Sequence, residues 1–154
     1  MKLIAHRGLV NGPNKELENS PEQIAFALGQ GFDCEIDVWL KNGEWMLGHD
    51  GPVYPIDFEF LEQPGLWIHA KNLSALYVLT ETELNCFWHQ EDDFTLTRYG
   101  FIWTYPGKQL TKQSIAVMPE WNDPEFKNLN IECYGICSDF VQTIQTVLKN
   151  NTSN

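Results

Sequence analysis

Glu35 and Asp37 lie two residues apart in Cys34-Glu35-Ile36-Asp37-Val38. In a strand, side chains alternate between faces, so both carboxylates project to one side while Cys34, Ile36 and Val38 turn to the other. Two carboxylates this close repel unless a proton or a cation lies between them. A hard divalent metal, which prefers oxygen ligands, is the simplest such cation. A solvated hairpin with an acidic edge is the competing reading of the same residues.

The next elements bring a histidine back toward this pair. Asn42-Gly43 is a strong signal for a type I′ hairpin turn, which needs positive φ at both central residues. It pairs Leu40 with Trp45 and Val38 with Leu47. Continued, the register sets His49 opposite Ile36 and Asp50 opposite Glu35. Strict alternation would then turn His49 to the Ile36 face, and a bulge at Gly48 is what would redirect it.

The chain has 154 residues, enough for one domain with a real core. Its net charge of −11 argues against a general nucleic-acid or anionic-membrane surface. A phosphate substrate is still compatible, because a metal and a few cations can invert the local field. No stretch approaches the roughly 20 apolar residues of a membrane span, and Met1–Arg7 has too short an apolar run for a signal peptide. Cys34, Cys86, Cys133 and Cys137 form no CxxC pair and read as reduced core thiols. These features predict a cytoplasmic protein.

In chain order, Lys2–Ala5 is predicted as a strand running into His6-Arg7-Gly8. Ser20, Pro21 and Gln23 open a helix with a capping box, and Gly31 stops it. Leu66–Asn72 is a third core strand, on which His69 and Lys71 share a face as Glu35 and Asp37 do. A helix over Leu73–Glu83 follows, packed through Leu73, Leu76, Tyr77 and Leu79 or Thr80. Further strands are predicted at Asn85–His89, Phe101–Thr104, Ile115–Met118 and Gly135–Ser138. Asp57 and Asp139 are expected to cap helices. The last helix runs to Leu148, and residues 150–154 form a frayed tail. The polar residues at strand carboxyl ends are His6, Asp37, Lys71, His89, Thr104, Glu120 and Asp139. A β/α barrel puts its chemistry at those ends. The expected fold is therefore a single α/β domain, a trimmed (β/α) TIM-like barrel with about seven core strands and reduced outer helices.

Taken together, the pieces are HRG at 6–8, ENS at 18–20, EID at 35–37, GHD at 48–50 and HAK at 69–71. In this order and spacing they resemble the glycerophosphodiester phosphodiesterase family, within the phosphatidylinositol-phospholipase-C-like superfamily, with this chain a short, divergent member. GICSDF at 135–140 is similar to the family's last strand. The resemblance implies a divalent metal, Mg or Ca, and two catalytic histidines, His6 and His49. It makes Glu35 and Asp37 metal ligands and gives Arg7 and Lys71 to the phosphate. Glu18, Asn19 and Asp50 become supporting residues. The implied substrate is a small-molecule or lipid-derived phosphodiester.

Two departures from the family pattern shape the expectation. Where the family carries Glu-x-Lys on the third strand, this chain has His69, and an imidazole ligand shifts preference toward Mn or Zn. Water or Glu120 could take the same place. The short chain also leaves fewer walls, so the site is open, completed by a second subunit in a homo-oligomer, or suited to a bulky substrate. Trp39, Trp67, Trp88, Trp103, Tyr105 and Trp121 are candidates for lining it, with Trp67, Trp88 and Trp103 read as core. The expected function is metal-dependent phosphodiester hydrolysis by two-histidine acid–base catalysis. The alternatives are a phospholipase-like enzyme forming a cyclic phosphate and a non-catalytic module that binds a phosphorylated ligand.

Overall fold

The computed structural model describes residues 1–152, which form one ten-stranded sheet with four α-helices. The strand β1 (Lys2–His6) runs parallel to β2 (Asp33–Lys41), with His6 level with Glu35. Between them lies α1 (Pro21–Gly29), capped by Ser20, whose hydroxyl accepts from the Gln23 amide at 3.2 Å. Only half of the expected capping box forms, because the Gln23 side chain donates to the Gly8 carbonyl instead.

The long β2 splits the sheet. Its first half pairs in parallel with β1 on one edge and with β5 (Leu66–Ala70) on the other. Its second half joins an antiparallel meander with β3 (Glu44–Leu47) and β4 (Tyr54–Ile56). The predicted pairs Leu40–Trp45 and Val38–Leu47 form, with Asn42 and Gly43 at φ 53° and 80° as a type I′ turn requires. The strand β4, which the sequence reading did not assign, forms where Tyr54–Ile56 pairs with the open edge of β3. The turn α2 (Phe58–Leu61) starts after Asp57, whose side chain makes no capping bond.

Beyond β5 comes α3 (Leu73–Thr80), capped by Asn72, which accepts from the Ala75 amide at 3.1 Å. Its packed face differs from the predicted one. Ala75 and Leu79 are buried, while Leu73 and Tyr77 are exposed. Then follow β6 (Cys86–Phe87), β7 (Phe94–Leu96), β8 (Ile102–Thr104), β9 (Ser114–Val117) and β10 (Gly135–Ser138). β8, β9, β10 and β1 are parallel, and β7 is antiparallel to β8. The last helix, α4 (Val141–Thr152), packs on β1. It begins at Val141 and runs through Thr152, into the predicted 150–154 tail. Residues 153 and 154 of that predicted tail lie outside the described residues.

The expected barrel with outer helices does not form. The sheet curls, so that Trp103 of β8 and Phe87 of β6 stand 4.6 Å apart by ring centroids, but among the described residues no ladder joins β6 to β8. The reason lies in the connections. A parallel crossover usually runs about a dozen residues or more and carries a helix. Residues 105–113 make the parallel crossover from β8 to β9 without a helix, and 118–134, which carry Pro119 and Pro124, join β9 to β10 with only one 3₁₀ turn. Residues 88–101 lack an apolar helical stripe and instead fold as β7, which is tied to β6 by the Arg98 amide on the Cys86 carbonyl and by the Thr95 hydroxyl on the Trp88 carbonyl. The curl encloses Ile4, Trp67, Phe87, Trp103, Ile115 and Cys137. A larger core of Ile24, Ile36, Val38, Leu47, Ile68 and Leu79 lies between sheet and helices. No helix among the described residues is long and apolar enough to cross a membrane.

Candidate functional site

The carboxyl ends of β1, β2 and β5 sit side by side, and their pairing sets the site. Glu35 is level with Trp67 and Asp37 with His69. Glu35 and Asp37 are 2% and 1% exposed, so their charges need partners inside the protein. His69 Nδ1 stands 3.1 Å from Asp37 Oδ1 and 3.6 Å from Glu35 Oε1. Its other nitrogen, Nε2, is 2.9 Å from the His89 carbonyl, which can only accept. Nε2 therefore carries a proton, and Nδ1 of the neutral ring would point its lone pair at two carboxylates. That arrangement calls for a positive centre on the shared side, either a second proton or a metal.

Both fit. Burial pushes the His69 pKa down, but the two carboxylates outweigh it and raise it to about 9. Asp37 is held well below the ordinary carboxylate range. Its burial works the other way and is overcome by His69, Lys71 and Arg7. The donor atoms of Glu35, Asp37 and His69 lie within 4.8 Å of one another, so the cluster could hold a metal ion. Asp37 Oδ1 is buried with no hydrogen-bond donor of suitable geometry, and the His69 Nε2 bond to a carbonyl is the usual way a metal-ligating histidine is oriented.

Asp37 is also fixed from behind. Asn19, fully buried, gives its Nδ2 to Asp37 Oδ2 at 2.8 Å and takes the Asp37 amide on its Oδ1 at 2.9 Å. Asn19 adopts φ 58°, a left-handed conformation that asparagine tolerates better than most residues. Arg7, at φ 52°, donates its backbone amide to Glu35 Oε2 at 3.1 Å. Its guanidinium bridges Glu18, at 3.0 Å, and Asp37, at 3.4 Å. Lys71 Nζ is 3.5 Å from Asp37 Oδ1.

His6 occupies the opposite side of Glu35. Its Nδ1 meets Asp139 Oδ1 at 2.7 Å, while Nε2 stands 4.0 Å from Glu35 Oε2. Burial depresses the imidazole pKa, but the Asp139 bond and the Glu35 charge more than offset it, so the net shift is upward. With Nδ1–H on Asp139, Nε2 is the nitrogen available for proton transfer.

His49 reaches the same cleft because β3 ends at Leu47. The Gly48 amide bonds the Asp37 carbonyl, and the Trp39 indole donates to the Gly48 carbonyl at 2.6 Å. Gly48 has φ 151°, and a Cβ there would fall 2.0 Å from the Gly51 carbonyl oxygen. The β2–β3 ladder ends at Val38–Leu47 with the Gly48 amide still in register, so no pairing sets His49 opposite Ile36, and His49 lines the cleft with Asp37. Its Nδ1 is 2.9 Å from Asp50 Oδ1. Asp50 is exposed, and its carboxyl is lowered by the His49 bond.

The resulting cleft holds about 300 Å³ and is walled by His6, Arg7, Glu35, Asp37, His49, His69 and Lys71 on one side and by Trp103, Tyr105 and Trp121 on another. Glu18, Asn19 and Asp50 stand behind this wall rather than in it. Trp67 is buried and Trp88 partly buried in the core, while Trp39 braces the Gly48 turn. Two contributors were placed at strand ends by the sequence but given no role in the site. Asp139 was read as a helix cap, although it closes the GICSD strand end beside His6. His89 supplies the carbonyl that orients His69. Glu120 is not among the clustered donors; it bonds Ser138 and Asp139 instead.

The charges decide what the cleft can bind. Glu18, Glu35, Asp37 and Asp139 oppose Arg7 and Lys71, so an anionic ligand needs additional positive charge, from the histidines or from a metal at the cluster. Comparison with protein-family models, with curated proteins and with solved structures gives no match to this chain.

Proposed function

We propose that this chain hydrolyses phosphodiesters of the glycerophosphodiester kind, with one divalent metal held by Glu35, Asp37 and His69. The observation that carries this reading is the convergence on one cleft of two histidines, a buried carboxylate–imidazole cluster and two cations. A bound metal would polarise the phosphoryl oxygens and stabilise the negative charge that builds on them. Arg7 and Lys71 sit where they add donors to the same oxygens once the metal relieves their pairing with Asp37. His6, oriented by Asp139, takes a proton from the attacking water or substrate hydroxyl through Nε2. His49 gives a proton to the leaving alcohol. The two oxygens and one nitrogen of the cluster are compatible with Mg or Ca, and the imidazole moves the preference toward Mn or Zn. Four free cysteines fit a reducing compartment such as the cytoplasm.

The test is turnover of a panel of phosphodiesters, glycerophosphocholine and a nitrophenyl diester among them, with Mg, Ca, Mn, Zn or EDTA. Metal-dependent turnover that disappears in His6→Ala and in His49→Ala, with both variants folded, is the expected result. Full activity in both variants refutes two-histidine catalysis. Phosphorus NMR separates hydrolysis from formation of a cyclic phosphate.

A second reading, a phosphate-binding module without catalysis, is favoured by one observation. Protonated His69 balances Glu35 and Asp37 without any metal. Binding of a diester to the EDTA-treated protein with no turnover under any metal would support it over the first.

A further inference from the structure

The pairing of β10 with β9 ends at Cys137 and Val117, and the last bond between them is the Met118 amide on the Cys137 carbonyl. Beyond that point Ser138 and Asp139 have no neighbouring strand on this side, yet Asp139 must hold its carboxylate 2.7 Å from His6 Nδ1. The chain leaving β9 solves this. Met118 takes φ 46° and ψ 54°, an uncommon conformation for a non-glycine residue, and Pro119 opens a single 3₁₀ turn over Pro119–Trp121. That reversal brings Glu120 back beneath the end of β10. Glu120 Oε1 accepts both the Ser138 hydroxyl, at 2.7 Å, and the Asp139 amide, at 3.1 Å. The Phe140 amide in turn bonds Ser138 Oγ at 2.9 Å. On the other side the Asp139 carbonyl accepts the Gly12 amide at 2.8 Å.

Glu120 is 8% exposed, and its second oxygen is buried without a partner. Such a carboxyl is costly, and a core leucine or methionine would be cheaper there. Burial raises its pKa, and the bonds from Ser138 and Asp139 only partly oppose that. Nothing in the proposed chemistry touches Glu120, so the cost calls for an indirect role.

We propose that Glu120 is a positioning residue for His6: it replaces the missing ladder at the end of β10 and so holds Asp139 against the imidazole. The proposal rests on the reading of His6 as an acid–base group. It assigns the work to the carbonyl-like oxygen Oε1 and not to the charge, because only Oε1 accepts hydrogen bonds. Glu120→Gln keeps that acceptor, whereas Glu120→Met keeps the volume and removes it.

The experiment reads two things on each variant: kcat and KM on the best diester substrate, and the low-field proton NMR signal of a histidine Nδ1–H bonded to a carboxylate, assigned by its absence from His6→Gln. Glu120→Met is expected to lower kcat on the order of 10- to 100-fold with KM within about twofold, as a small misplacement of a catalytic group does. The low-field signal should move upfield or vanish. Glu120→Gln should restore most of kcat and the signal. Ser138→Ala, which removes one of the two bonds, should fall between, and it carries the test if Glu120→Met does not fold. Unchanged kcat and an unchanged signal in Glu120→Met or Ser138→Ala overturn the proposal, as does equal damage in Gln and Met. If the wild type turns over no diester, the hydrolase reading fails on its own, and the low-field signal still decides whether Glu120 positions His6.

Discussion

Replacing Asn19 should unfold the site from behind. The side chain makes a reciprocal pair with Asp37, donating to Oδ2 at 2.8 Å and accepting the backbone amide at 2.9 Å, all of it buried. In Asn19→Ala the Asp37 amide is left buried without an acceptor, which costs about 1–3 kcal/mol, and a hydrogen bond to a charged group worth about 1.5–3 kcal/mol is lost. Alanine at φ 58° adds about 1 kcal/mol, since asparagine is at home in that region and alanine is not. Arg7 Nε remains 3.4 Å from Asp37 Oδ2 and recovers part of the loss. The expected destabilisation is about 3–5 kcal/mol, a large share of the roughly 5–15 kcal/mol that holds a domain together. Urea unfolding at neutral pH measures it as a lowered midpoint with an unchanged slope. Asn19→Asp separates the causes. It keeps the shape and the turn preference but sets two carboxylate oxygens face to face, so its loss should ease as the solution is acidified. If both variants lose less than about 1 kcal/mol, the pair does not hold Asp37 and the reasoning fails.

The remaining predictions concern protons, metal and one glycine. In metal-free protein the His69–Asp37 pair makes stability depend on pH at both ends. His69 rises from 6.5 to about 9 on folding, so its contribution, roughly 3 kcal/mol at most, is complete below about 6.5 and is lost as pH climbs through 9. Asp37 is lowered from 3.8, so the same pair weakens again as pH falls below that value; denaturant midpoints should therefore plateau between roughly pH 4 and 6.5, and a midpoint that stays flat to pH 10 contradicts the pairing. Metal binding at Glu35, Asp37 and His69 must expel the His69 proton, so affinity should rise about tenfold per pH unit below about 9. Calorimetry in two buffers of different protonation enthalpy counts that proton, and none released would remove His69 from the ligand set. Gly48→Ala should cost roughly 2–4 kcal/mol and displace His49, because its Cβ would fall 2.0 Å from the Gly51 carbonyl oxygen; an unchanged Tm would contradict this geometry.

What the sequence determined was local. The Asn42-Gly43 turn and the alternation in Cys34–Val38 set the β2–β3 register and put Glu35 and Asp37 on one face, because hairpin register follows from turn type and side-chain period alone. Ser20 and Pro21 likewise placed the start of α1. The motifs named His6, His49, His69 and Lys71 without showing how they meet. What only the tertiary structure decided was non-local. A sheet of parallel strands read as a barrel, yet its closure depended on connections after β6, where short, polar and proline-bearing segments gave β7 and a 3₁₀ turn in place of helices. Asp139 read as a helix cap because aspartate at the head of a helix is a local signal. Its actual partner, His6, lies 133 residues away in sequence and becomes a neighbour only when β10 pairs with β1. The same holds for the His89 carbonyl on His69 and for Glu120 under Asp139. Local pattern carries periodicity and turn chemistry, whereas a buried charge is satisfied by whichever group the completed packing brings within hydrogen-bonding distance.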